Sequence, residues 1–182
     1  MKILHVHKYF NKYRSGGSIA AFFETKELLE KKGHQVIVFS MKNNKNEKSA
    51  YSKYFIDYFD INEAKNFLEK IKIVPKVIYN REAQKKIKKL IEKEKPDIAH
   101  VHDTYHYITP SILPVLKKCN IPVVHKLSAY ELICPNYKLF TKGEICERCN
   151  GGKYYNCFLN KCIKNSIGAS FAGTIEAYVH KF

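Results

Sequence analysis

Residues Asp97 to Leu127 read DIAHVHDTYHYITPSILPVLKKCNIPVVHKL. Asp97 to His102 is short, apolar and bounded by Pro96, as a strand is. Pro110 to Cys119 has helical periodicity and a proline at its start. Ile121 to Leu127 is a second apolar, β-branched run. Strand, helix and strand within about 30 residues predict one βαβ unit with parallel strands.

The same alternation extends upstream. Lys2 to His7 (KILHVH) predicts a first strand, Ile19 to Lys32 a helix with Ala20, Phe23, Leu28 and Leu29 on its apolar face, and Gln35 to Ser40 (QVIVFS) a second strand. Ser15 or Ser18 is placed to cap the helix and Gly33 to stop it. Residues 41–53 are polar and read as a loop. Tyr54 to Asp60 suits a short strand, Asn62 to Ile73 a helix, and Tyr79 to Lys95 a second helix with Tyr79, Ala83, Ile87, Leu90 and Ile91 on one face. Asn165 to Phe182 predicts a final amphipathic helix. The fold class is therefore α/β, a doubly wound, Rossmann-like parallel sheet, whose ligands bind at the carboxyl ends of the strands.

Composition sets outer bounds. The 182 residues are 45% apolar, which suits a globular core and argues against global disorder. The formal net charge of +15 favours anionic partners, although surface lysines with no specific partner give the same total. MKILHVHKYF is too short and too polar for a signal peptide, and no run approaches the ~20 apolar residues of a membrane span. A reducing, cytoplasmic setting is expected, in which six cysteines suggest metal binding or buried thiols before disulfides. The lysines between Lys85 and Lys95 suit either a solvated face or peripheral contact with acidic lipids.

Three segments fall at predicted strand ends. Gly16 and Gly17, in RSGGS, follow the first strand and open its helix, where backbone N–H groups and the helix dipole can hold an anion. The motif is not G-x-G-x-x-G, so a dinucleotide fingerprint is not supported. His102 and Asp103 leave the strand that also carries His100. The two histidines share a face, but a His-x-His pair lacks further local metal ligands. His102 is assigned to the site and His100 to the sheet interior. Ser128 and Tyr130 follow the last strand.

Cys134, Cys146, Cys149, Cys157 and Cys162 are spaced C-x11-C-x2-C-x7-C-x4-C. Cys146 and Cys149 form a tight knuckle, and Cys157 with Cys162 can complete a structural zinc site. Disulfides or packed thiols are the other readings, and Cys134 exceeds the four ligands required. Four thiolates leave no open position, so no catalytic metal is expected. Cys119 reads as a packing residue.

Taken together, HVHDTYHYITPSILPVLKKCNIPVV, YELICPNYKLF and CERCNGGKYYNCFLNKCIKNS resemble the N-terminal domain of family-4 glycosyltransferases, in the subset with a Cys-rich insertion, here residues 134–165. RSGGS is similar to that family's Gly-Gly loop. The resemblance spans essentially residues 1–182 and is weakest over 41–80. It implies a retaining GT-B enzyme that moves a sugar from a nucleotide-sugar donor to an acceptor hydroxyl of a glycan or lipid-linked sugar. The N-terminal half binds mainly the acceptor. The donor-binding half lies outside these residues, so this segment alone is expected to be inactive. Their places at the strand ends assign catalytic roles to His102 and Ser128 and substrate contacts to Gly16, Gly17, Asp103 and Tyr130. Where the family often carries a His-Asp pair, this chain has Ser128-Ala129. Two other classes fit parts of the pattern: a basic zinc-knuckle module for nucleic acid, disfavoured by the apolar parallel strands and the lack of a nucleic-acid-reading motif, and a degenerate α/β domain that serves a partner.

Overall fold

A strand covered on both faces has few polar residues, and the first two strands meet that condition. The computed structural model describes residues 1–60, 63–64 and 66–181. Strands β1 (Lys2–Val6), β2 (Gln35–Phe39), β3 (Ile98–His102) and β4 (Val123–Lys126) form a parallel sheet in the order β2-β1-β3-β4. The chain divides into two compact units, Met1–Ser128 and Ala129–Phe182. The sheet lies in the first.

Alternation along β1 and β2 assigns the two faces. Leu4, Val6, Ile37 and Phe39 share a core with Ala99 and Val101 of β3 and with Ala83, Ile87, Leu90 and Ile91 of helix α3 (Arg81–Glu94). Val36 and Val38 face the other way, onto Ile19, Phe22 and Phe23 of helix α1 (Gly17–Lys31) and onto Phe10 and Phe55. Helices therefore cover both faces, as double winding requires. The strand order reverses direction between β1 and β3, which makes their carboxyl ends the topological switch point.

Several sequence expectations change. The buried face of α1 is Ile19, Phe22 and Phe23, whereas Ala20 and Leu28 are exposed. The three buried side chains follow the 3-4 spacing of one helical face, and Phe22 is drawn inward by the ring of His5, 4.2 Å away. No side chain caps α1. Gly33, at φ 78°, lies just past its C-cap residue Lys32, as expected. The expected strand at Tyr54 to Asp60 reduces to a single bridge, Met41 to Ile56. Helix α2 (Phe67–Ile78) starts later than expected, behind an Asn66 cap that accepts from the Glu69 N–H at 2.8 Å, and it continues through Pro75. The expected start at Asn62 lies outside the described residues. Tyr79 is exposed before α3.

Asn80, 1% exposed, sets the start of α3. Its Oδ1 accepts from the Ala83 N–H at 2.9 Å, and its Nδ2 donates to the Tyr107 carbonyl. Its own N–H donates to Thr109 Oγ1, and its carbonyl accepts from Ser111 Oγ. One side chain thus caps a helix and ties it to the turn before helix α4 (Leu113–Lys118).

In the second unit, strands β5 (Phe140–Thr141) and β6 (Glu144–Ile145) form a small hairpin. Helices α5 (Tyr155–Leu159) and α6 (Ile167–Val179) pack around Cys149, Tyr154, Cys157 and Ala177. The Cys-rich stretch and the final helix therefore share a small core rather than forming a bare loop. Ser166 caps α6 through the Ala169 N–H. Among the described residues no helix is long and apolar enough to cross a membrane.

Replacing Asn80 with Ala removes a cap and strands buried partners. It is expected to lower unfolding free energy by about 2 kcal/mol, read as a shift in urea midpoint at unchanged m-value.

Candidate functional site

β1 and β3 end side by side, and the residues that follow them meet. His7, just past β1, is 1% exposed. Its Nε2 lies 3.2 Å from Ser18 Oγ in the first turn of α1 and 4.0 Å from Asp103 Oδ2, just past β3. Its Nδ1 is held by the Tyr9 backbone, 3.0 Å from the N–H and 2.8 Å from the carbonyl. If Nδ1 accepts from the Tyr9 N–H, Nε2–H donates to Ser18; in the other tautomer Nδ1–H donates to the Tyr9 carbonyl and Ser18 donates to Nε2. Burial pulls the His7 pKa down to about 4 despite the Tyr9 contact and the Asp103 charge, so the ring is neutral at pH 7. Lys8 Nζ donates to Asp103 Oδ1 at 3.1 Å. Ser128 Oγ approaches Ser18 Oγ at 3.5 Å and is exposed. The Arg14 guanidinium lies 3.7 Å above the Tyr9 ring, which stiffens the loop between β1 and α1.

Gly16 and Gly17 differ in why they are glycine. Gly16 has φ 141° and ψ 137°, a conformation that L side chains rarely adopt. Gly17 is the first residue of α1, and a Cβ there would meet nothing within 4 Å. The Gly16 carbonyl accepts from the Ala20 N–H, and no side chain caps the first turn, so the dipole end of α1 opens beside His7 and Ser18.

The fold thus gathers Gly16, Gly17, Asp103 and Ser128 at the switch point and adds His7, Lys8 and Ser18. His7 was legible only as the second histidine of the LHVH alternation in the first strand. Ser18, expected as a cap, partners His7 instead. Tyr130 belongs to the second unit, where its N–H donates to the Tyr137 carbonyl at 3.1 Å.

His102 is placed differently from expectation. It is fully buried, whereas His100 is partly exposed, the reverse of the sequence reading. The His102 ring packs against His5, His100 and Phe22 below the strand ends. The cause is strand parity: His100 and His102 face α1, and the covering Phe22 lies over the later residue. Burial, then the neighbouring imidazoles, pulls His5 down to about 2 and His102 to about 3. Neither His5 ring nitrogen meets hydrogen-bond geometry, although the Phe22 backbone lies close enough to oppose part of the shift.

The six cysteines are free thiols. Burial, with Cys134, Cys162 and Cys146 nearby, pushes Cys149 up to about 11. Burial and the adjacent Cys162 push Cys157 up to about 12. Cys134 thus joins the neighbourhood of Cys146, Cys149, Cys157 and Cys162. Among the described residues these thiols do not form a group compact enough to hold one ion.

Residues 15–127 match the model of Glycosyltransferase Family 4. The chain is also 30% identical over 152 residues to a Klebsiella pneumoniae protein described as "Uncharacterized 42.6 kDa protein in cps region". The aligned part is 79% of this chain and 40% of that protein, so the chain spans well under half of its relative's length. No solved structure matches.

Two outcomes follow from this geometry. Gly16→Ala is expected to cost about 1 kcal/mol or more through backbone strain, while Gly17→Ala stays within about 0.5 kcal/mol, compared by thermal melting. Stability is expected to fall on acidification from about pH 6.5 downward. The unfolded state takes up protons near pH 6.5 that folded His5, His7 and His102 refuse until about pH 4 or below. Each such proton costs about 1.4 kcal/mol per pH unit. Urea midpoints from pH 7.5 to 4.5 in chelator-containing buffer read the slope, which His5→Leu should flatten.

Proposed function

Because the chain belongs to glycosyltransferase family 4, we propose that it forms the acceptor-side half of a GT-B enzyme that transfers a sugar from a nucleotide-sugar donor to a glycan or lipid-linked acceptor hydroxyl in polysaccharide biosynthesis. The observation that carries this reading is the convergence of His7, Asp103, Ser18 and the open N-terminus of α1 at the switch point. The cps-region relative supports the polysaccharide setting.

Sugar transfer builds negative charge on the departing diphosphate while the acceptor hydroxyl gives up its proton. The α1 N–H groups at Gly17 and Ser18 are pre-oriented toward an anion, and the missing Cβ at Gly17 allows close approach. Neutral His7 presents an imidazole nitrogen beside Asp103, a pairing able to orient an acceptor hydroxyl. Ser128 adds a polar group on the same rim. His102 supports the floor of this site rather than touching the substrate. Cations for the diphosphate belong to the donor-binding half, so these 182 residues alone are not expected to turn over.

In the second unit, a structural zinc drawn in by Cys146, Cys149, Cys157 and Cys162 is our reading of the Cys-rich segment. The buried thiols at Cys149 and Cys157 and their shared neighbourhood support it. Binding would have to draw the sulfurs together and strip their protons.

The test is transfer activity of the chain together with its donor-binding half. Gly17→Leu should lower kcat/KM at least 10-fold and His7→Ala by about 100-fold, with the melting temperature of Gly17→Leu nearly unchanged. Full activity in both variants would place the chemistry elsewhere.

A further inference from the structure

The face of the sheet under α1 carries an unusual set of side chains. β1 and β3 pair in parallel with His5 opposite His100, so the imidazoles of His5, His100 and His102 project to the same side. One ligand atom from each lies within 4.8 Å of the others. His5 and His102 are fully buried and His100 is partly exposed.

We propose that His5, His100 and His102 form a three-imidazole site for a late first-row divalent cation, zinc, copper(II) or nickel(II), which ties β1 to β3 beneath the strand-end site. Imidazole suits these ions. His102 Nε2 and His100 Nδ1 are 3.3 Å apart. Two nitrogens bound to one tetrahedral zinc at about 2.05 Å are about 3.4 Å apart, so this pair already has the required spacing. His5 completes the trio by closing less than about 1.5 Å, a movement within reach of a ring rotation.

Three further observations point to a ligand. Both ring nitrogens of His5 and Nδ1 of His102 are buried without a hydrogen-bond partner. A phenylalanine would fill the position of His5 against Phe22 without that desolvation cost, so packing alone gives no reason for an imidazole there. Burial keeps His5 and His102 neutral at physiological pH, the form that ligates, and the proton that His102 Nε2 and His100 Nδ1 share in their hydrogen bond has only to move to the other nitrogen of its ring. Partly exposed His100 offers an entry from solvent. The opposing charge is Lys126, which acts on His100 and His102 but is itself exposed and screened. The site is independent of the cysteines, all five of which in the Cys-rich segment belong to the second unit.

Cobalt(II) titration of the tag-free chain separates the two donor sets. The expected result is d–d absorption from a nitrogen-ligated cobalt, separate from any cobalt that the Cys-rich segment takes up with a thiolate charge-transfer band. That signal should survive in Cys149→Ser and be reduced at least 10-fold in both His100→Ala and His5→Leu. Circular dichroism checks the fold of each variant. Because His100 is partly exposed, His100→Ala decides if His5→Leu unfolds. Imidazole ¹⁵N shifts of the unaltered chain on adding one equivalent of zinc give a readout that needs no variant. Three outcomes would each overturn the site: cobalt absorption that is wholly thiolate in character, a nitrogen-only signal that persists in both histidine variants, or ¹⁵N shifts at His5, His100 and His102 that do not move with zinc.

Discussion

The parallel pairing of β1 with strands on both sides is the constraint on which the first unit rests. β1 aligns with Gln35 to Phe39 on one edge and with Ile98 to Val101 on the other. A central strand must satisfy its backbone through both neighbours and bury both rows of side chains. One row, Leu4 and Val6, meets α3 through a wholly apolar core. The other row holds His5 beside Phe22. Both rows are therefore filled, but only one of them is apolar throughout.

That asymmetry is where structure turns into chemistry. The apolar face holds the sheet and α3 in place, helped by the Asn80 cap and its ties to Tyr107 and Thr109. The histidine face ends at the reversal of strand order, where His7 and Asp103 come within 4.0 Å and α1 begins without a side-chain cap. A helix start with no cap leaves donors for a ligand, and a glycine such as Gly17 leaves room for one. In the proposed transfer reaction these donors would face the charge that grows on a leaving diphosphate.

The second unit is organised by different forces. Its core is small, formed by Cys149, Tyr154, Cys157 and Ala177, with Cys162 and Ile163 against it. Tyr154 donates to the Leu132 carbonyl at 2.7 Å, which fastens the start of the segment to its middle. A core of that size is marginal without a further link among its thiols. α6 exposes Ile167, Phe171 and Tyr178 while burying Ser170, Gly173, Thr174 and Ala177, so its more apolar side is its more exposed one.

The four strands of the parallel sheet, most of the longer helices and the Gly16-Gly17 turn were readable in the chain because each rests on local periodicity or on a turn that needs glycine. Asp103 and Ser128 were readable as the residues that leave apolar strands. The roles of the histidines were not. Whether His100 or His102 is covered depends on where Phe22 falls, and the buried side of α1 was read correctly at Phe23 and Leu29 but not at Ala20 and Leu28, because Leu28 and Phe22 are equally apolar in a one-dimensional pattern. His5 joins His100, and His7 meets Asp103, across about 95 positions through a pairing register that no local pattern encodes. The composition of each element is a short-range property, and the chain alone was enough to read it. The company each side chain keeps is set by strand pairing and helix packing, which are long-range, and only folding supplies them.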